Sequence, residues 1–259
     1  MPRTGIVNYH RHSNRRQAYK IDASGIPGRL ESPEQVPTAV ALHDVRAHPR
    51  GVCFDEDGIA FVTAPTRVAP TGGDWQHRYE AELHALLARE LGAGEVRVFD
   101  HTVRVDDPEA LRRPARNVHT DYSAAGARAR LDMLLGEEEA VLWDAGHYAF
   151  VNVWRPVSGT VQSAPLGFVR PRTVQPEDWV TLDLIYPDRV GQIMGLVSNP
   201  AHEWLYRSAM TPDEVVLFNI YDNRGRAPVA HSAIDLVAPA APGTIRQSLE
   251  SRTLVRFRA

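Results

Sequence analysis

A single cysteine, Cys53, occurs among the 259 residues, so the chain can form no internal disulfide bond. Acidic and basic side chains nearly balance, at 32 Asp and Glu against 29 Lys and Arg, which argues against an electrostatic surface for nucleic acid. No apolar run approaches the length of a membrane span, and the first residues lack the apolar core of a secretory signal. These absences predict a cytoplasmic protein that binds neither nucleic acid nor membrane.

The spacing of apolar residues predicts two helices in the first half of the chain. In the stretch 74–92, tyrosine and leucine side chains recur at helical spacing, and Gly92 and Gly94 would end the helix. The stretch 123–136 predicts a second, shorter helix. The tract GEEEA at 136–140 is interpreted as a solvated loop.

The second half of the chain has a different pattern of apolar residues. From about residue 139, seven or eight short apolar runs succeed one another, with Pro, Gly and Asn between them. Strands that recur about every ten residues with turn signals are typical of a sandwich or jelly roll. Because no repeat or linker interrupts the chain, we expect one domain with a mainly β fold and flanking helices.

The segment NVHTDYS (117–123) carries the first candidate for chemistry. His119 and Asp121 stand two positions apart, and in a strand such residues project from the same face. Of the eleven histidines, His119 is the one followed two positions later by an acidic residue. The pair forms two-thirds of a 2-His-1-carboxylate metal site, although a surface pair without function remains an alternative.

A third ligand would have to come from a distant strand, and three histidines follow the pair. His147 comes so soon that few strands fit between, and His202 lies among aromatic residues in a loop-like context. His231 lies in a late strand that is followed by one more strand. That order is what a jelly roll needs to bring two distant strands together, so His231 is the preferred third ligand.

The last strand offers a possible anion site. In TIRQSLESRTLVRF (244–257), Arg246, Ser248, Glu250 and Arg252 alternate with the residues of the other face. This face could lie in water. Alternatively, Arg246 and Ser248 could point toward the site and bind a carboxylate by charge-assisted hydrogen bonds.

Five ordered blocks resemble one known family. The blocks are VHTDYS (118–123), NVWRP (152–156), MTPDEVVLFNIYDN (210–223), APVAHSAIDL (227–236) and IRQSLESRTLVRF (245–257). Together they resemble the cupin-like hydroxylase/desaturase family of non-heme iron(II)/2-oxoglutarate dioxygenases of secondary metabolism, which includes the cephalosporin 7α-hydroxylating component, aspergillic-acid-type hydroxylase/desaturases and gibberellin desaturase. The resemblance implies a double-stranded β-helix (jelly roll). It leaves about the first 75 residues as an N-terminal extension of a single domain over 1–259.

The resemblance also implies roles for the residues singled out above. His119, Asp121 and His231 would bind Fe(II), while Arg246 and Ser248 would hold the distal carboxylate of the cosubstrate 2-oxoglutarate. Arg246 follows His231 by fifteen residues, which is longer than usual, so Arg252 remains a rival for that carboxylate. Asn152 is a further candidate contact of the cosubstrate.

Four residues are candidates for substrate binding, each with a structural alternative. Trp154 and Arg155 are neighbours in a strand, so they point to opposite faces and cannot both line one cavity. Core packing would also explain Trp154, and an ion pair would explain Arg155. Tyr122 could instead cover the rim of the barrel, and Tyr221 could belong to a turn or support the His231 strand.

The implied reaction uses O₂ and 2-oxoglutarate, forms a ferryl intermediate, and hydroxylates or desaturates a small-molecule secondary metabolite. Two other functions stay open at this point. One is an iron oxidase of the same fold that does not use 2-oxoglutarate, and the other is an accessory subunit of a tailoring enzyme. A homodimer or a partner tailoring enzyme is a further possibility.

Overall fold

The computed structural model describes residues 3–22, 30–47, 51–237 and 245–258. Strands and four α-helices make up most of these ranges. In chain order the strands are β1 (Arg3–His10), β2 (Gln17–Lys20), β3 (Gln35–Asp44), β4 (Ile59–Thr63), β5 (Ala93–Val105), β6 (His119–Thr120), β7 (Tyr148–Ser158), β8 (Leu166–Val169), β9 (Trp179–Ile185), β10 (Val190–Leu196), β11 (Trp204–Tyr206), β12 (Glu214–Asp222), β13 (His231–Ala233), β14 (Asp235–Leu236) and β15 (Gln247–Phe257). The helices are α1 (Phe54–Asp57), α2 (Trp75–Leu91), α3 (Ala124–Leu135) and α4 (Glu137–Ala145).

Two sheets form the body of the fold. The larger has the order β14-β1-β3-β11-β8-β13-β6-β10-β9-β2, and the smaller has the order β4-β12-β7-β15-β5. Their facing surfaces share a core of aromatic and aliphatic side chains, and the rings of Phe168 and Phe218, one from each sheet, lie 5.1 Å apart. This arrangement confirms the predicted jelly roll.

The predicted helix over 74–92 is confirmed as α2. Its buried stripe of Tyr79, Leu83, Leu86 and Leu87 packs on the outer face of the five-stranded sheet, against residues such as Val151. Fully burying side chains of this size stabilises the fold by roughly 1.5–3 kcal/mol each. The helix therefore covers the face of the sheet that points away from the barrel interior.

The second predicted helix is confirmed as α3, and the loop predicted for 136–140 is wrong. The three glutamates of that tract are the first turn of α4, which runs from Glu137 to Ala145. Acidic side chains favour the positive end of a helix dipole, so a cluster of glutamates suits a helix start as well as a solvated loop. Within the described ranges, no helix has the length and apolar character needed to cross a membrane.

The polar N-terminal region contributes strands to the larger sheet. β1 pairs antiparallel with β3 over eight residues, and β11 pairs parallel with β3. β1 also reaches the centre of the molecule through bridges from Asn8 to Asn117 and from His10 to Val197. Residues close to the N-terminus are thereby brought beside the segment that carries His119.

Candidate metal centre and cosubstrate pocket

Three side chains that are far apart in sequence meet at the mouth of the barrel. His119 on β6 and His231 on β13 are directly opposed across an antiparallel strand pair, and Asp121 follows β6 by one residue. One ligand atom from each of the three lies within 4.8 Å of the others, and all three residues are buried. The strand pairing thus assembles the 2-His-1-carboxylate set that the sequence indicates.

Backbone carbonyls fix the orientation of both imidazoles. Nδ1 of His119 lies 2.8 Å from the carbonyl oxygen of Asn117, and Nδ1 of His231 lies 3.2 Å from that of Val229. A carbonyl oxygen can only accept, so each Nδ1 carries the hydrogen and each Nε2 keeps its lone pair. Both rings are therefore held in the tautomer that a metal ion requires.

The carboxylate of Asp121 is oriented in a complementary way. Its Oδ2 accepts hydrogen bonds from Asn152 Nδ2 and Arg252 Nε, each at 2.9 Å. Its Oδ1 faces His119 Nε2 at 3.6 Å. Two donors thus occupy one oxygen and leave the other as the ligand atom.

The charge states also suit a divalent cation. Burial alone would raise the pKa of Asp121, but the guanidinium of Arg252, helped by the two histidines, holds it well below the usual value. Burial, reinforced by His119, lowers the pKa of His231 to about 4. At neutral pH the site offers one carboxylate and a neutral His231 imidazole, which fits Fe(II).

A small pocket beside the triad contains an arginine without a carboxylate partner. Arg246 is 3% exposed, donates to the carbonyl oxygen of Ala164 and to Ser248 Oγ, and forms no ion pair with any described residue. Its Nε has no hydrogen-bond partner there, and its guanidinium lies 5.0 Å from the ring centre of Trp154. His119 and His231 line the same pocket. A buried cation of this kind is stabilised by an anion, so the pocket suits a carboxylate that also reaches the metal.

Sequence comparison gives the family of the chain. A family model described as "Oxidoreductase/YMDC permease-like domain" matches residues 7–256. The hydroxylase/desaturase efuI of Hormonema carpetanum is 30% identical over 247 residues, covering 83% of this chain and 82% of the relative. The hydroxylase/desaturase CTB9 of Cercospora beticola is 32% identical, covering 83% of this chain and 75% of the relative. The chain belongs to the hydroxylase/desaturase family of iron(II)/2-oxoglutarate dioxygenases.

A solved structure supports the fold of this dioxygenase family member. The iron and alpha-ketoglutarate-dependent endoperoxidase NvfI superposes with a TM-score of 0.84 at 23% identity, covering 99% of this chain and 98% of NvfI. At that identity the match confirms the jelly-roll fold. The nvfI dioxygenase sequence of Aspergillus novofumigatus is 28% identical over 235 residues, covering 85% of this chain and 83% of the relative.

Two residues predicted as cosubstrate contacts, Asn152 and Arg252, lie against Asp121 instead. Their side chains are directly opposed on β7 and β15, and both donate to the carboxylate of Asp121. Arg252 also pairs with Asp100 at 2.5 Å and with Glu250 at 2.6 Å. Because its guanidinium is surrounded by three carboxylates, the geometry favours Arg246 over Arg252 as the partner of a further anion.

The residues predicted to bind substrate are not all in one place. Tyr122 lines the large cleft above the triad, and Trp154 lines the small pocket beside Arg246. Arg155 points to the opposite face of the sheet, where it donates to the carbonyl oxygen of Ala64 at 2.8 Å and lies over the ring of Tyr79. The sheet therefore separates Arg155 from the cleft, and this geometry does not favour its assignment to substrate binding.

Tyr221 is also absent from the lining of both cavities. It packs on Tyr148, with ring centres 6.0 Å apart, and lines neither the cleft nor the small pocket. The structure therefore does not bring this tyrosine to the site, and packing between strands β12 and β7 accounts for it.

The two rejected histidines have other partners. His202 is held between Tyr9 Oη at 2.9 Å and Asp178 Oδ2 at 3.1 Å, and His147 pairs with Asp222 at 3.0 Å. Neither belongs to the cluster of possible metal ligands among the described residues.

Sequence reasoning missed two side chains close to the triad, the half-buried Arg104 and the buried His10. Arg104 lies opposite Ser248 on β5 and lines both cavities. His10 sits over Gly195, the cross-strand neighbour of His119, and neither ring nitrogen of His10 has a partner among the described residues. The alternation of β5 could have indicated Arg104, whereas no local signal places β1 in the barrel.

Proposed function

We propose that this dioxygenase hydroxylates or desaturates a small-molecule secondary metabolite, with His119, Asp121 and His231 as iron ligands and Arg246 with Ser248 as the contacts of 2-oxoglutarate. The observation that carries the proposal is that two of the three clustered candidate ligands, His119 and His231, line one pocket with the buried guanidinium of Arg246, which has no ion-pair partner among the described residues. A chelating diacid can reach both features at once. Relatives named alpha-ketoglutarate-dependent dioxygenase, such as phiK at 31% identity over 246 residues, support the same assignment.

The ligand residues would hold Fe(II) through His119 Nε2, His231 Nε2 and Asp121 Oδ1. When bound, iron together with 2-oxoglutarate and O₂ supplies the oxidising power needed to remove hydrogen from an unactivated C–H bond. The protein fixes the ligand geometry through Asn152, Arg252 and two backbone carbonyls, so little reorganisation is needed on metal binding.

The arginine pocket would select the cosubstrate. Arg246 presents a planar guanidinium, and Ser248 Oγ lies 3.0 Å from one of its nitrogens, so both can donate to the same carboxylate. Burial, followed by the neighbouring Arg104, lowers the pKa of Arg246 to about 9, which still leaves it charged at neutral pH. An incoming carboxylate would relieve the cost of burying that charge.

Binding of 2-oxoglutarate to the anaerobic Fe(II) protein tests the proposal directly. We expect a visible charge-transfer band with 2-oxoglutarate and none with glutarate, which lacks the keto group. On admission of O₂, succinate should form in an iron-dependent manner. Absence of the band together with turnover that needs no 2-oxoglutarate would favour the oxidase, and absence of any iron-dependent turnover would favour an accessory role.

The cellular location and the oligomeric state of the enzyme stay predictions. A cytoplasmic location is supported by the lone cysteine, which would remain reduced there. A homodimer or a complex with a partner tailoring enzyme is tested by the molar mass of the purified protein in solution.

A further inference from the structure

The large cleft above the triad is far bigger than the cosubstrate requires. Its volume is about 1370 Å³, and His119 and Asp121 lie in its wall, so a molecule bound in it would face the metal ligands. Sites for drug-sized ligands usually measure about 300–1,000 Å³. We take this cleft as the substrate site, so the inference below rests on the proposed function.

The charges in the cleft wall are unbalanced. Among the described residues, the wall contains seven arginines, four aspartates, no lysine and no glutamate. Asp100 and Asp121 are bound by Arg252, and Asp188 is bound by Arg189. Asp22 also has an interaction of its own, and Arg116 pairs with Asp106 and Asp235, which lie outside the wall.

Four arginines of the wall remain without an ion-pair partner in the described part of the chain. They are Arg104, Arg112, Arg113 and Arg130. Arg112 and Arg113 are exposed at the rim, whereas Arg104 and Arg130 are half-buried deeper in the cleft. Arg104 donates to the carbonyl oxygen of Arg113 at 3.0 Å, which ties the deep and rim positions together.

Like charges that face one concave space repel one another and gain from an anion. Burial is the main cause that lowers the pKa of Arg104; the nearby guanidiniums of Arg252 and Arg112 lower it further, whereas Glu250 and Asp121 raise it. Three of the four arginines do not line the small pocket, so 2-oxoglutarate bound beside Arg246 would leave them unneutralised. The negative charge that would neutralise these arginines therefore belongs to a different ligand.

Apolar surface lies beside this charge. Arg130 sits over the rings of Phe99 and Tyr122, at 5.7 and 6.0 Å from their centres, and Leu184 and Ile193 also line the cleft. A substrate with an apolar skeleton could pack there near Asp121 while its charged end contacts the arginines. We infer that the substrate is an amphipathic anion, an apolar body that carries a carboxylate or phosphate group held by Arg104, Arg112, Arg113 and Arg130.

Two fluorescent probes of the same aromatic skeleton test this inference without turnover. 1-Anilinonaphthalene-8-sulfonate carries one negative charge, and N-phenyl-1-naphthylamine carries none. Both are titrated into the full chain loaded with Fe(II) under nitrogen, with 2-oxoglutarate absent. We expect the charged probe to bind at least about tenfold more tightly than the neutral one, in line with one charge-assisted contact.

The double variant Arg112→Glu/Arg113→Glu reverses two exposed charges at the rim. It should lower the affinity of the protein for the charged probe by about tenfold or more and change the affinity for the neutral probe by less than about twofold. Arg112→Lys/Arg113→Lys should restore most of the affinity. As a control, Arg67→Glu replaces an exposed arginine that is not in the cleft wall, and it should leave the affinity for both probes unchanged.

Displacement of the charged probe by decanoate and by decyl phosphate then separates the two anionic groups. Preferential displacement by either compound supports the inference and names the group. Two results would overturn the inference. One is equal affinity for the two probes, and the other is a loss of affinity for the charged probe in Arg67→Glu as large as that in Arg112→Glu/Arg113→Glu. The two proposals can fail separately. If the protein binds the charged probe more tightly but shows no charge-transfer band with 2-oxoglutarate, the anion site is supported and the proposed function is rejected.

Discussion

Arg252 and Asn152 face each other across strands β15 and β7, and both donate to Oδ2 of Asp121 at 2.9 Å. The two donors come from the smaller sheet, whereas the acceptor follows a strand of the larger sheet. The candidate metal centre is therefore built across the interface between the sheets. Its geometry depends on residues that do not themselves touch the metal.

The first prediction follows from this arrangement. Arg252→Met should weaken Fe(II) binding by about 10- to 100-fold, because the carboxylate loses its charged partner and its fixed orientation. Asn152→Ala removes a neutral hydrogen bond and should have the smaller effect. Arg256→Met, on the same strand but bound to the carbonyl oxygen of Leu142, is the control. Metal affinity is read by competition with a chromophoric chelator, and an effect in the control as large as in Arg252→Met would contradict the prediction.

The second prediction concerns acid stability of the metal-free protein. Burial and the neighbouring His119 lower the pKa of His10 to about 4, against about 6.5 in the unfolded chain. A depressed pKa gives stability that is present above the unfolded value and is lost as the pH falls toward the folded one. Between pH 7 and pH 5, His10 should therefore contribute a loss of about 2 kcal/mol in the free energy of unfolding.

His10→Phe tests this effect because phenylalanine keeps an aromatic ring in the buried site without a titrating group. Urea unfolding with a chelator present should show a shallower decline from pH 7 to pH 5 than in the wild type. His12→Phe, at an exposed position two residues on, is the matched control. Identical pH slopes in His10→Phe and wild type would refute the role of His10.

The third prediction concerns Gly195, which opposes His119 across β10 and β6. A Cβ there would lie 2.5 Å from His10 Cδ2 and 2.7 Å from Leu182 Cδ1, so Gly195→Ala would push His10 from its site. Such overpacking typically costs about 1–3 kcal/mol. Gly191→Ala, in the same strand with its nearest neighbour at 3.8 Å, should cost little. The thermal unfolding temperature and the affinity for iron should both fall for Gly195→Ala. Equal unfolding temperatures and iron affinities in the two variants would count against the proposed close packing.

The sequence could indicate the three candidate metal ligands that the structure clusters, because two of them carry a local signal. The period of two in a strand placed His119 and Asp121 together, and chain order favoured His231. The same alternation correctly set Trp154 and Arg155 on opposite faces, although it could not say which face lines the site. Family resemblance supplied the chemistry, since strand patterns alone left a surface pair as an alternative.

The parts that sequence could not predict depend on contacts between distant segments. Nothing near Arg252 indicates that its partner is Asp121, 131 residues away. His10 lies in a polar segment, and its burial follows from the pairing of β1 with β3 and its bridge to Val197. Arginines at 112 and 113 look like ordinary solvated residues until the fold places them at the rim of the cleft that contains His119 and Asp121.

The fourth prediction separates His231 from His202. His231→Ala should abolish Fe(II) binding, whereas His202→Ala should retain it. The cost of His202→Ala should appear as a loss of about 1–3 kcal/mol in the free energy of unfolding, because Tyr9 and Asp178 lose a buried partner. Equilibrium dialysis with Fe(II) and denaturant unfolding measure the two effects. Loss of metal in His202→Ala with retention in His231→Ala would overturn the strand assignment on which the site depends.

The fifth prediction distinguishes the two arginines of β15. Arg246→Met should raise the dissociation constant for 2-oxoglutarate by about 10- to 100-fold, since a charge-assisted contact is typically worth about 1.5–3 kcal/mol. It should leave the affinity for Fe(II) nearly unchanged, because Arg246 contacts Ala164 and Ser248 and not the metal ligands. It should also leave the fold stable, since the variant removes a buried charge that has no ion-pair partner among the described residues.

Arg252→Met should show the opposite pattern, with weaker Fe(II) binding and a smaller direct effect on 2-oxoglutarate. Titration of 2-oxoglutarate into each variant at saturating anaerobic Fe(II) separates the two effects, because incomplete metal loading then no longer limits the signal. If Arg252→Met weakens 2-oxoglutarate more than Arg246→Met does under these conditions, Arg252 holds the distal carboxylate. The ion pair between Arg252 and Asp121 would then have to open when the cosubstrate binds.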